Sequence, residues 1–322
     1  MSLNMPEIKK IYVIGNGFDK HHSIECGYED FKKWLRSNRE SVYENLIRIY
    51  GNLTDDWWSK FEESLTDFDP DKFPYEVAGA TFFEQLGKLE ERYGEEGRAF
   101  IDDYELKNWT VSNPYERAAE IACFEMRHLK EDLCEAFGEW VKSIKLPDVS
   151  KKDCDLDSRA FFFTFNYTRT LEDLYEIEED QVVHLHGSVD DGYFVIGHNM
   201  TAEEMLERDL RKHMYDRNPD DDKGEDEARM AMFDVAEELK KPVEDIIQKH
   251  SDDFYSLESV EDLEVLGFSY SPIDLPYLER IIEVTGRDIN VRLGWHDEKK
   301  DKINAESFAR KMRLSNYEIF EF

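Results

Sequence analysis

Six short apolar runs punctuate the chain, and five of them close on a glycine or a polar cluster. Ile11–Ile14 leads into Gly15, Phe161–Phe165 into Asn166, and Val182–Leu185 into His186-Gly187. Tyr193–Ile196 leads into Gly197, Leu263–Gly267 into Phe268-Ser269, and Ile289–Leu293 closes the series. Runs that stay apolar without alternating are the form of parallel strands covered on both faces. Between them the spacing turns helical. Asn113-Pro114 reads as an N-cap with proline at the first helical position. Ala122, Met126, Leu129, Leu133, Phe137, Val141 and Ile144 then follow in steps of three and four, one stripe that is either internal core or a seam between two copies of the chain. Phe31–Tyr50 and Phe82–Tyr93 repeat the helical pattern less regularly, and Trp57-Trp58 reads as a core plug. The predicted fold is α/β, a Rossmann-like parallel sheet core with large α-helical insertions. Its core is discontinuous, drawn from 8–31, 158–200 and 262–322. A helical insertion occupies 32–157, and an acidic, partly flexible helical one occupies 201–261, with Asn218–Glu227 as a solvated loop.

Charge narrows the function. Lys and Arg number 41 against 74 Asp and Glu, a formal charge of −33. Such a field repels phosphate backbones and anionic bilayers, so direct nucleic-acid binding and membrane association are not expected. No run of apolar residues is long enough for a membrane span, and Met1–Lys10 lacks the apolar stretch of a signal peptide. Cys26, Cys123, Cys134 and Cys154 show no C-x-x-C pairing, which predicts reduced thiols, a cytoplasmic location and no metal site. Asp220–Asp222 lacks the ligand spacing of an EF-hand. The 13% aromatic content still supplies a sizeable core.

Candidate chemistry gathers where the runs end, the edge at which open α/β sheets hold ligands. Gly15-Asn16-Gly17-Phe18-Asp19 follows the first run, and its glycines permit a tight turn close to a phosphate or ribose. The third glycine of a dinucleotide fingerprint is absent, since Lys20 stands there, and no P-loop lysine–serine pair follows. Asn166 is read equally as a ligand-binding amide or as the cap of a helix beginning near Arg169. In His184-Leu185-His186-Gly187 the two imidazoles face one side unless the strand ends between them. His186 is the better general acid/base, lying at the terminus beside glycine. Ser269 and Asp274 either bind a ligand or cap the helix that follows. No Gly-x-Ser-x-Gly elbow surrounds Ser269, which argues against a serine hydrolase.

In order along the chain stand Gly15-Asn16-Gly17-Phe18-Asp19-x-x-His22, Tyr28, Phe31, Phe165-Asn166-Tyr167-Thr168-x-Thr170-Leu171-Glu172 and His184-Leu185-His186-Gly187. Ile196-Gly197-His198-Asn199 and Gly267-Phe268-Ser269 with Asp274 and Tyr277 complete the set. This array resembles the AbiH family of bacterial phage abortive-infection proteins, which in turn is similar to the sirtuin-like NAD-binding fold. The resemblance implies that Gly15, Asn16, Gly17 and Phe18 take a diphosphate. It places Asn166, Tyr167 and Thr168 near a nicotinamide ribose, with His186-Gly187 as the catalytic pair. Ser269, Asp274 and His198 are further ligand contacts, and Asp19 with His22 is an acid/base or ribose-binding pair. Thr168 stands where sirtuins carry an aspartate, Phe18-Asp19 replaces a small residue, and the zinc-binding cysteine module is missing.

The leading expectation is a phage-defence protein that binds and hydrolyses a nucleotide, NAD first, with His186, Asn166, Asp19 and His22 as its catalytic group and no metal. A phage product is the expected trigger. The alternatives are a nucleotide sensor without turnover, and an acidic interaction protein that mimics nucleic acid.

Overall fold

A computed structural model describes residues 8–68, 82–108, 114–147, 154–213, 223–297 and 299–322. Asn113 and Asn218–Asp222, read above as a cap and the start of a loop, lie outside them, while Lys223–Glu227, read as the rest of that loop, open the helix Lys223–Glu237. The described chain divides into two compact units. One is drawn from Met1–Asn38, Cys134–Ile196 and Lys241–Phe322, the other from Arg39–Leu133 and Gly197–Lys240.

The first unit is built on a parallel six-stranded sheet. Its strands are β1 (Lys10–Ile14), β2 (Phe161–Thr164), β3 (Val182–His184), β4 (Asp262–Leu266), β5 (Asn290–Trp295) and β6 (Asn316–Glu321), in the order β3-β2-β1-β4-β5-β6. The central strands are apolar on both faces because helices cover both. Ile11, Val13, Phe161, Phe163, Val265 and Leu293 join the side packed by the helix Leu275–Thr285, while Tyr12, Ile14, Phe162 and Leu266 face the other. Glu264 is the one buried charge of β4. Its oxygens meet Lys10 of β1 at 2.7 Å and Arg292 of β5 at 2.5 Å; Arg292 stands directly opposite in the register and Lys10, opposite Asp262, reaches it along the diagonal.

Five of the six predicted runs are strands. The sixth, Tyr193–Ile196, is not: it lies outside the ladder, tied to the loop after β3 by Val195 N–H donating to the His186 carbonyl at 2.9 Å. The sixth strand of the sheet is β6, whose Asn316, Tyr317 and Glu318 are exposed. Only its second half is covered, Ile319 on one side of the sheet and Phe320 on the other, so no apolar run of strand length announced it.

In the second unit the helix Glu40–Tyr50 buries Val42, Leu46 and Ile49 at helical spacing. Trp57 and Trp58 are buried, and Trp58 stacks on Phe61 at 5.5 Å, as a core plug would. The helix Pro114–Ser143, which belongs to this unit up to Leu133 and to the first unit from Cys134, carries the anticipated stripe, buried from Ala122 to Val141. Among the described residues no helix is long and apolar enough to cross a membrane.

Candidate functional site

The site grows from the loops that leave the carboxyl ends of β1, β2, β3 and β4. After β1 the chain turns through Gly15 into the short helix Asn16–His21. Gly15 N–H donates to the Leu266 carbonyl at 2.9 Å and Gly17 N–H to the Gly267 carbonyl at 2.8 Å, so this turn is packed backbone to backbone against the turn that ends β4. A side chain at Gly17 would put its Cβ 2.7 Å from Gly267, and Gly267 itself holds a left-handed φ of 64°. The glycines are therefore required by close approach of two turns at the centre of the sheet. Asn16 is locked as well: its Nδ2 donates to the Cys26 carbonyl at 3.2 Å and its Oδ1 accepts from the Cys26 thiol at 2.7 Å. Phe18 is buried, its ring 4.6 Å from that of His22.

Helix Asn16–His21 aims Asp19 inward, where it meets the segment after β2. Thr168 donates its hydroxyl to Asp19 Oδ2 and lies 3.0 Å from the Thr170 hydroxyl. Burial pushes the Asp19 carboxyl above its ordinary range, against the opposing pull of Thr168, Thr170, the Asn166 side chain and the charge of His22. Asp19 Oδ1 and Asn166 Oδ1 are both buried without a hydrogen-bond partner. His22 is engaged at both nitrogens, Nδ1 with the Phe18 carbonyl at 2.7 Å and Nε2 with the Tyr175 hydroxyl at 2.6 Å. Asn166 caps no helix through its side chain; only a single π-turn, Thr170–Leu174, follows it.

β3 ends at His184, and the two histidines part company there. His184 bonds the Asn166 carbonyl at 2.8 Å and Glu172 Oε1 at 2.9 Å. His186 instead faces an aromatic wall, with Phe165 at 5.1 Å, Tyr277 at 5.6 Å and Tyr167 at 6.5 Å between ring centroids. Its Nε2 is buried without a hydrogen-bond partner, 3.6 Å from Asp274 Oδ1, too far for a bond. Burial, with the nearby charge of Lys241, holds the imidazole well below its usual pKa, so it is neutral at physiological pH. Gly187 follows with φ 80°, and a Cβ there would collide with the Tyr193 carbonyl oxygen, so the loop returns close against this turn. Tyr167 donates its hydroxyl to the Val195 carbonyl at 2.8 Å and so holds the same loop.

Two neighbouring polar clusters result: Asp19 with Asn166, Thr168 and Thr170, and His186 with Asp274 and Lys241. Among the described residues no hydrogen bond joins His186 to Asp19 or Asn166. Asp19, Asn166, Thr168 and His186 are only 1%, 5%, 6% and 2% exposed, so the site is interior in this conformation. Ser269 is exposed. Asp274 does not cap the helix Leu275–Thr285; its carboxylate pairs with Lys241 Nζ at 3.2 Å. His198 belongs to the second unit, where Nε2 bonds the Ala236 carbonyl at 2.8 Å and Nδ1 accepts from Met200 N–H at 3.2 Å. Sequence reasoning passed over Lys241. Its only signal is Lys240-Lys241-Pro242, two cations inside an otherwise acidic stretch.

A parallel sheet ordered 3-2-1-4-5-6, with polar side chains collected at its carboxyl edge, defines a Rossmann-like α/β protein. More particularly, the chain belongs to the AbiH family: the model described as Bacteriophage abortive infection AbiH matches residues 11–293. No curated protein and no solved structure matches it significantly.

Proposed function

We propose that this AbiH protein binds a nucleotide at the carboxyl edge of its sheet and hydrolyses it, NAD being the first candidate. The observation that carries the reading is the set of buried polar atoms lacking partners at the ends of neighbouring strands: Asp19 Oδ1, Asn166 Oδ1 and His186 Nε2. A native interior rarely leaves such atoms unpaired, and a ligand rich in hydroxyls supplies what they lack. The strand order is also the one whose switch point, between β1 and β4, receives dinucleotides in other proteins. Gly15–Phe18, Tyr167, Thr168, Gly187 and Asp274 frame the ligand, and the loop Gly187–Val195 must lift to admit it.

In the reaction, water forms a C–O bond to the anomeric carbon of the ribose as the bond to nicotinamide breaks. Nicotinamide leaves with the electron pair of that bond, and the proton of the water passes to His186 Nε2. A neutral imidazole is the form that can accept it. Asn166 orients the water or a sugar hydroxyl, and Asp19 holds Asn166.

The test is nicotinamide release from NAD by the purified protein. His186→Ala is expected to lose about 10²–10⁴-fold in rate, the usual worth of a general base. No release by the wild type, or equal release by the variant, overturns the catalytic reading. Binding without turnover is the second reading, favoured by His22 being engaged at both nitrogens, which leaves one acid/base group in place of two. Calorimetry that shows NAD bound and recovered intact selects it.

A further inference from the structure

Lys241 is a fully interior cation, its side chain 1% exposed, placed by the turn that opens the helix Val243–Lys249. Its ammonium meets Asp274 Oδ1 at 3.2 Å, and the same oxygen stands 3.6 Å from His186 Nε2. One carboxylate thus lies between two cations in waiting, and the distances say which holds it. Among the described residues the rings against the imidazole are those of Phe165, Tyr167 and Tyr277, which bring no charge at neutral pH. The Asp274 side chain makes no capping bond to its own helix, so the carboxylate is not fixed from there.

We propose that Lys241 is the positioning residue of this site: by holding Asp274 it prevents an aspartate–imidazolium pair and leaves His186 Nε2 open to a ligand hydroxyl or water. A histidine beside a free buried carboxylate takes up a proton and becomes a charged hydrogen-bond donor. Beside a carboxylate already paired with lysine it stays neutral and can accept a proton. The direction of the His186 shift agrees with this, since burial and Lys241 both disfavour its charged form. The inference rests on the catalytic reading only for its purpose; its physical content concerns the protein without any nucleotide.

The test is the titration of the His186 imidazole, followed by NMR on the full chain without ligand and assigned by comparison with His186→Gln. In the wild type the ring is expected to remain neutral at pH 6. In Lys241→Met the midpoint should rise by about one unit or more, the effect of a carboxylate left facing an imidazole. Lys241→Arg should keep it low, and in Lys241→Met/Asp274→Asn the rise should disappear. A charged wild-type ring at pH 6, an unchanged midpoint in Lys241→Met, or a rise that survives in the double variant overturns the proposal. Should Lys241→Met not fold, the wild-type ring at pH 6 and Lys241→Arg still decide it. Failure of NAD turnover leaves these titrations untouched, so the two readings fail separately.

Discussion

Asp19 shows how far a single position is set by its surroundings. Its residue type and its place after a glycine turn were legible in the chain, and so was its candidacy for chemistry. Its environment was not: Thr168, 149 residues away in sequence, supplies the hydroxyl that bonds it. Because burial raises its carboxyl, the folded protein binds more protons here than the unfolded chain across the affected window. The sign follows: stability from this group is present below the unfolded pKa and is lost as pH rises through the folded one. Asp19→Asn is therefore expected to make the fold more resistant to urea at pH 7 while abolishing ligand binding. A variant less stable at pH 7 would show that the charge is better accommodated than burial implies. The glycines tell a similar story. Gly15 and Gly17 stood out as a phosphate-type turn, yet their Cβ positions are filled by the backbone of Gly267 and Phe268, a packing relation no local pattern contains.

Elements were readable in proportion to how completely they are buried. β2 is Phe161-Phe162-Phe163-Thr164, covered on both faces, and it declares itself. β3 is half-covered and three residues long, and where it stops decides the chemistry. Ending at His184, it sends that ring to Glu172 on the π-turn and the next histidine to the aromatic wall. Burial opposes charge on both His184 and Glu172, but their mutual hydrogen bond and attraction raise the imidazole and lower the carboxyl. The histidine's share of stability is full below its unfolded pKa and fades as pH rises through the raised one. The glutamate's share is full above its unfolded pKa and fades as pH falls through the lowered one. The pair should thus stabilise most between about pH 4.5 and 6.5. Glu172→Gln is expected to flatten the urea midpoint over that interval while leaving the sheet intact by circular dichroism. An unchanged pH profile would remove the pair from the account.

At the scale of the molecule the net charge of −33 acts on everything at once. Self-repulsion of this size opposes compaction, and salt screens it over a Debye length of about 10 Å at 0.1 M. Raising the salt from about 10 mM to about 0.3 M should lift the unfolding temperature by a few degrees, read by calorimetry; a fall would mean that exposed attractive pairs such as Lys9–Glu261 dominate over repulsion. The chain alone determined the acidic character, the α/β class and the edge of the sheet where polar residues collect. All of these follow from local periodicity and from counting charge, which need no third dimension. Tertiary structure decided the order of the strands and the identity of the sixth. It also decided that Asp19 bonds Thr168, that His184 and His186 separate, and that Lys241 belongs with Asp274. Those depend on which distant segments are brought side by side, and contact between remote residues leaves no periodic trace in a single sequence.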